Sequence, residues 1–107
     1  MQFVVINGMS LTAPPQLYSL LWSALRGEEL APTRAAAALD AHFMTGQAAT
    51  LRMPVTVLLV DELDGLVNRG QGVLYSLFNW AVQRHARLVI IGVANTMDLP
   101  ERLLPKV

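Results

Sequence analysis

The chain has 107 residues, no formal net charge at neutral pH and no cysteine; 53% of it is hydrophobic and only 15% charged. That length suits one small domain and not two, the zero net charge excludes a strongly basic nucleic-acid module within these residues, and the missing cysteines exclude a disulfide frame, a thiolate zinc site and a thiol nucleophile. A small domain has much surface per volume and ordinarily a larger charged share than this, so the composition suits the buried middle of something larger. No apolar run approaches the ~20 residues of a bilayer span, and "MQFVVINGMS" lacks the charged start and cleavage site of a secretory signal.

The β-branched run Phe3 to Ile6, closed by Asn7-Gly8, predicts a strand and a turn. A helix follows, with Ser10 or Thr12 as its cap and Pro14 and Pro15 in its first turn. Its apolar face comprises Leu17, Leu20, Leu21, Ala24 and Leu25, and Gly27 stops it. Thr33 opens a second, alanine-rich helix that Gly46 closes, and residues 47–53 form a loop. "VTVLLV", after Met53-Pro54, is an unbroken apolar run suited to a strand buried on both faces. Beyond the acids that end it, "LVNRGQG" reads as a loop. "VLYSLFNWAVQRH" reads as a helix with Val73, Leu74, Leu77, Phe78, Ala81 and Val82 on its apolar side. "RLVIIGVAN" is a third strand, and "TMDLPERLLPKV" begins another turn and helix.

Strand, two helices, strand, helix, strand predicts a parallel α/β sheet with right-handed crossovers. Function in such sheets gathers at the carboxyl ends of the strands. Asn7, the pair Asp61-Glu62 and Asn95 each follow a strand, so all four belong to one edge.

Four apolar residues followed by Asp-Glu form the Walker B pattern. A rigid strand there holds one carboxylate toward the magnesium ion of a nucleotide, usually through water. The next residue can serve as general base on the attacking water. A buried strand ending in a solvated acid gives the same pattern. Asn95, an uncharged amide at the neighbouring strand tip, can orient a water or touch a γ-phosphate, or it can be a turn residue. Acid pair and amide together are more specific than either alone. Asp64 reads as a local cap or salt-bridge partner. His42 and His85 stand on separate helices without companion ligands and read as packing or surface residues, and Tyr18, Trp22, Tyr75 and Trp80 as core or interface packing. The sequence contains no G-x-x-x-x-G-K-[ST] phosphate loop.

"VLLVDELDGLVNRGQGVLYSLFNW" and "ARLVIIGVANTMDLPERLLPKV" resemble the AAA+ ATPase core of the origin recognition complex subunit 1 family, as does "INGMSLTAPPQLYSLLWSALRG". The paralogous helicase-loading factor, cell division cycle protein six, is the nearest other likeness. "NGMSLT" and "MDLPER" favour the origin subunit. The resemblance implies a three-layer α/β/α, P-loop NTPase-like parallel sheet, present as its adjacent second, third and fourth strands. It implies that residues 1–107 are a partial AAA+ domain, from the strand after Walker A to just past sensor 1. The Walker A, lid and winged-helix regions would lie outside it.

By the same likeness Asp61 is the magnesium acid, Glu62 the catalytic glutamate and Asn95 the sensor-1 amide, all three contributing to an incomplete ATP site. ATP and Mg2+ are the implied cofactors of the complete protein. The implied partners are the other origin recognition subunits, a helicase-loading factor and origin DNA, in the nucleus, with no membrane association. The competing expectation is a non-catalytic module that docks on sibling subunits. Either way the third strand is expected to be an open apolar edge, and the isolated chain to bind ATP poorly.

Overall fold

Phe3, Val4, Val5 and Ile6 lie in β1 (Gln2–Asn7), which pairs in parallel with β2 (Thr56–Asp61), and β2 pairs in parallel with β3 (Leu88–Gly92). The computed structural model describes residues 1–45, 54–67 and 69–94. The sheet order is β1-β2-β3, so the apolar run before the acids is the central strand. Register pairs Val4 with Leu58 and Leu58 with Ile90; one residue on, it pairs Val5 with Leu59 and Leu59 with Ile91.

This register separates two faces, because side chains alternate along a strand and register partners share a side. On one face Val4, Ile6, Leu58, Val60 and Leu88 are buried beneath the helices. The other carries Phe3 at 68% exposure, Val5 at 66%, Val89 at 47% and Ile91 at 45%, and no helix among the described residues covers it. The described helices thus form one layer. Both connections, β1 to β2 and β2 to β3, step across the sheet in the same direction, and same-handed crossovers place their helices on the same side.

Helix α1 (Gln16–Arg26) starts at Pro15 without a side-chain cap, contrary to the expected Ser10 or Thr12 cap. Gln16, Leu17 and Tyr18 donate their N–H groups to the carbonyls of Ala13, Pro14 and Pro15, each at 3.0 Å, so little is left for a cap to satisfy. Gln16 instead reaches back, its Oε1 accepting from the Thr12 N–H at 2.8 Å and hydroxyl at 2.9 Å. Gly27 ends the helix at φ 69°, as expected. The buried face is Leu17, Leu21, Trp22 and Leu25. Leu20 is 42% exposed, and Trp22 takes its place.

Helix α2 (Pro32–Met44) begins one residue before Thr33, with Ala31 as N-cap and proline in its first turn. Its C-cap is Thr45, while Gly46 and the expected loop over 47–53 lie outside the described residues. The first two residues of the segment expected as a loop after the acids, Leu66 and Val67, belong to α3 (Asp64–Val67), a single turn anchored by the fully buried Leu66. Helix α4 (Gln71–Ala81) buries Val73, Leu77 and Trp80, with Leu74 and Ala81 packed beside them. Phe78 and Val82 face outward instead, because the buried face is rotated toward Trp80. The Trp80 indole N–H donates to Asp40 of α2 at 3.0 Å, and its ring lies 5.4 Å from Phe43 and 5.9 Å from Tyr18. A 3₁₀ turn (Arg84–Ala86) leads into β3. Among the described residues no helix is long and apolar enough to cross a membrane.

Candidate functional site

The central strand delivers Asp61 at its last position, register-paired with Asn7 at the end of β1. Both acids are half-buried at this tip. Asp61 Oδ1 accepts the Glu62 N–H at 2.9 Å, which leaves the other carboxylate oxygen for a further partner. Glu62 then adopts φ 50°, in the left-handed region that a non-glycine residue holds only when its surroundings impose it.

Several backbone bonds impose it. Gly8 N–H donates to the Asp61 carbonyl at 2.8 Å, Leu63 N–H to Val93 at 2.9 Å and Gly65 N–H to Glu62 at 3.0 Å. Val93 N–H in turn donates to Val60 at 2.9 Å. The acid turn is therefore tied to the loop after β1, to α3 and to the residue after β3. Asn7 is placed at this edge as expected, but its Oδ1 accepts the Met9 N–H at 2.8 Å and serves its own turn. Asn95 lies outside the described residues, which reach Ala94 in that segment.

Asp61 alternates in step with Val57 and Leu59, on the side where Phe3, Val5, Val89 and Ile91 are bare. A ligand held by Asp61 would stand at the carboxyl edge of the sheet. The donor set suits magnesium better than calcium or zinc. Mg2+ takes one or two carboxylates, substrate phosphates and retained waters, whereas Zn2+ takes about three or four protein ligands and Ca2+ about six to eight oxygens. Among the described residues no group of three or more His, Cys, Asp or Glu could hold a metal. Among the described residues the tip offers the adjacent acids Asp61 and Glu62, and such a pair fits magnesium carried by a nucleotide.

His42, His85, Tyr18, Trp22 and Trp80 resolve as packing or hydrogen-bonded partners, whereas Tyr75 is exposed and packs in no core among the described residues. His42 is buried edge-on to Trp22 and Phe43, at centroid distances of 6.3 and 5.0 Å. His85 Nε2 lies 3.2 Å from the Met44 carbonyl. Tyr18 bonds Ser76 at 3.1 Å, and the Trp22 indole donates to Glu28 at 3.0 Å. Asp64 opens α3, and its Oδ1 is buried without a hydrogen-bond partner among the described residues, so no salt bridge holds that oxygen. An open depression of about 260 Å³ beside α1, lined by Gln16, Ser19, Leu20, Ser23, Glu29 and Leu30, shares no residue with the acid turn.

Sequence reasoning missed three glycines. A Cβ on Gly8 would stand 2.7 Å from the Glu62 carbonyl oxygen, one on Gly65 2.7 Å from the Gly8 carbonyl oxygen, and one on Gly92 2.7 Å from Leu63 Cδ2. Their only signal is adjacency to strand ends and to the acids.

A parallel sheet whose central strand ends in a half-buried Asp-Glu pair at its carboxyl edge defines the class: an incomplete α/β fold of the P-loop NTPase type. Residues 1–106 match the family "ATPase family associated with various cellular activities (AAA)", and the chain belongs to that family. It is 48% identical over 102 residues to origin recognition complex subunit 1 of Schizosaccharomyces pombe, covering 95% of this chain and 14% of that protein. The subunit 1 proteins of Drosophila melanogaster and Homo sapiens are 47% and 43% identical over 103 residues, covering 96% of this chain and 11% and 12% of theirs. A chain of the structure "Structure of Drosophila ORC bound to DNA" superposes with a TM-score of 0.80 at 48% identity, over 96% of this chain and 26% of that one. The chain thus spans well under a fifth of the length of these curated relatives.

Proposed function

We propose that these residues are the Walker B and sensor-1 part of an origin recognition complex subunit 1-type ATPase, a partial AAA+ domain that acts in DNA replication. The observation that carries this reading is the Asp61-Glu62 turn. It lies at the carboxyl edge of the central strand, braced by backbone bonds from both flanking segments, in a chain similar to subunit 1 proteins over nearly its whole length.

Asp61, its carboxylate fixed by the Glu62 N–H, would hold the magnesium of a bound ATP through water. Magnesium, when bound, offsets phosphate charge. Glu62 takes the proton of the attacking water, and Asn95 orients that water or contacts the terminal phosphate. The phosphates are cradled by a glycine-lysine loop supplied from outside these residues, at the carboxyl edge of the sheet. The assembled protein acts in the nucleus with the other origin recognition subunits, on origin DNA, and with a helicase-loading factor.

The test is a graft. Residues 1–107 replace the matching stretch of the Drosophila subunit, and the assembled complex is assayed for ATP hydrolysis and DNA binding beside its parent. The reading expects both at rates and affinities comparable with the parent's. A grafted complex that assembles and binds ATP yet hydrolyses none, beside an active parent, contradicts it.

A further inference from the structure

The Asn7-Gly8 turn has no chemistry assigned above, yet it is packed directly onto the acid pair. Gly8 N–H donates to the Asp61 carbonyl at 2.8 Å, extending the β1–β2 ladder one step beyond the strands. A Cβ on Gly8 would also stand 3.5 Å from the Asp61 carbonyl oxygen and from the Glu62 carbonyl carbon, besides the 2.7 Å contact with the Glu62 oxygen. The opposing atoms are backbone and cannot rotate away. Gly8 is not in the left-handed region, so the requirement is for space and not for φ.

Gly65 closes the turn from the helix side. Its N–H donates to the Glu62 carbonyl at 3.0 Å. Its Cβ would stand 2.7 Å from the Gly8 oxygen, 2.8 Å from the Gly8 carbonyl carbon and 2.9 Å from Met9 Sδ. The Glu62 carbonyl is thus seated between the Gly8 Cα and the Gly65 N–H. From the β3 side, Gly92 makes room for the Leu63 side chain, while Leu63 N–H bonds Val93. Three glycines from three segments surround one turn, and that turn holds a glutamate at φ 50°.

We propose that Gly8, Gly65 and Gly92 are positioning residues for Glu62. Gly8 and Gly65 admit the close backbone approach that fixes the left-handed turn, Gly92 leaves room for the Leu63 side chain beside it, and together they fix where the Glu62 carboxylate stands relative to the strand tip. The inference rests on the reading of Glu62 as the base. With the turn displaced, proton abstraction slows, while ATP affinity, supplied mainly by groups outside the turn, is kept.

The test uses the grafted Drosophila complex with Gly8→Ala, and with Gly72→Ala as control. Gly72 lies in α4 with nothing within 4 Å of its Cβ position, so the same added methyl touches nothing there. Two quantities are read: amide exchange over residues 61–67, and kcat beside the equilibrium dissociation constant for ATP. Gly8→Ala is expected to speed exchange over 61–67 and to lower kcat roughly 10- to 100-fold at unchanged ATP affinity. Gly72→Ala leaves both at the unsubstituted values. Unaltered exchange or unaltered kcat in Gly8→Ala overturns the proposal. If Gly8→Ala does not assemble, Gly65→Ala replaces it. Its methyl meets the Gly8 carbonyl, which cannot swing away, and the same two readings decide. A grafted complex that hydrolyses no ATP even unsubstituted removes the reading of Glu62 as base, while the exchange reading still decides whether the glycines hold the turn.

Discussion

Trp80 and Glu62 illustrate two ways a single residue's surroundings decide its role. The Trp80 ring lies among Phe43 and Tyr18, while its N–H reaches Asp40 on the neighbouring helix. Trp80→Phe keeps an aromatic ring but removes that donor and part of the ring volume. It is expected to lower stability by about 1–3 kcal/mol, read as a shift in the urea midpoint at unchanged slope. Asp61 and Glu62 were legible in the sequence, because acids directly after an unbroken apolar run can only stand at a strand end. Gly8, Gly65 and Gly92 were not. Their role is a close approach between segments far apart in the chain, Gly8 with Glu62, Gly65 with Gly8 and Gly92 with Leu63, and nothing in a local pattern encodes that distance. The left-handed Glu62 was equally hidden, since glutamate carries no signal for φ 50°.

The helices and strands themselves were largely legible from periodicity, and the departures have a common physical cause. Leu20 in α1 and Phe78 in α4 fit the apolar spacing yet face outward. In both helices a tryptophan with a hydrogen-bonded indole rotates the buried face toward itself. Spacing counts apolar residues but does not weigh a large ring that needs one polar partner. The cap of α1 was misread for a related reason: the proline-led turn satisfies the first N–H groups before a hydroxyl is needed. Two glycines separate backbone effects from packing effects at this scale. Gly27 ends α1 at φ 69°, and Gly72 lies in the first turn of α4; neither has an atom within 4 Å of its Cβ position. Gly27→Ala is expected to destabilise by about 1–2 kcal/mol through the left-handed penalty. Gly72→Ala is expected to stabilise by up to about 1 kcal/mol through helix propensity. Thermal melting of the two variants side by side checks the opposite signs.

For the whole molecule, the low charge and high apolar share read from composition correspond to a definite surface. Phe3, Val5, Val89 and Ile91 lie across one sheet face that the described helices leave bare, and β3 is an edge strand. The strand order was legible through the family resemblance, which implied three adjacent strands. Which face lies bare was not, since the alternation shows two apolar faces and only the crossovers choose between them. Asp61 ends the central strand, so the half of the site that binds phosphate is expected at the carboxyl edge of the sheet. The central claim, that the strand tip carries the base of an ATPase, is tested most directly by Glu62→Gln in the grafted Drosophila complex. The account predicts ATP binding close to the unsubstituted value and hydrolysis reduced by about 10²–10⁴. Hydrolysis at the unsubstituted rate would contradict it.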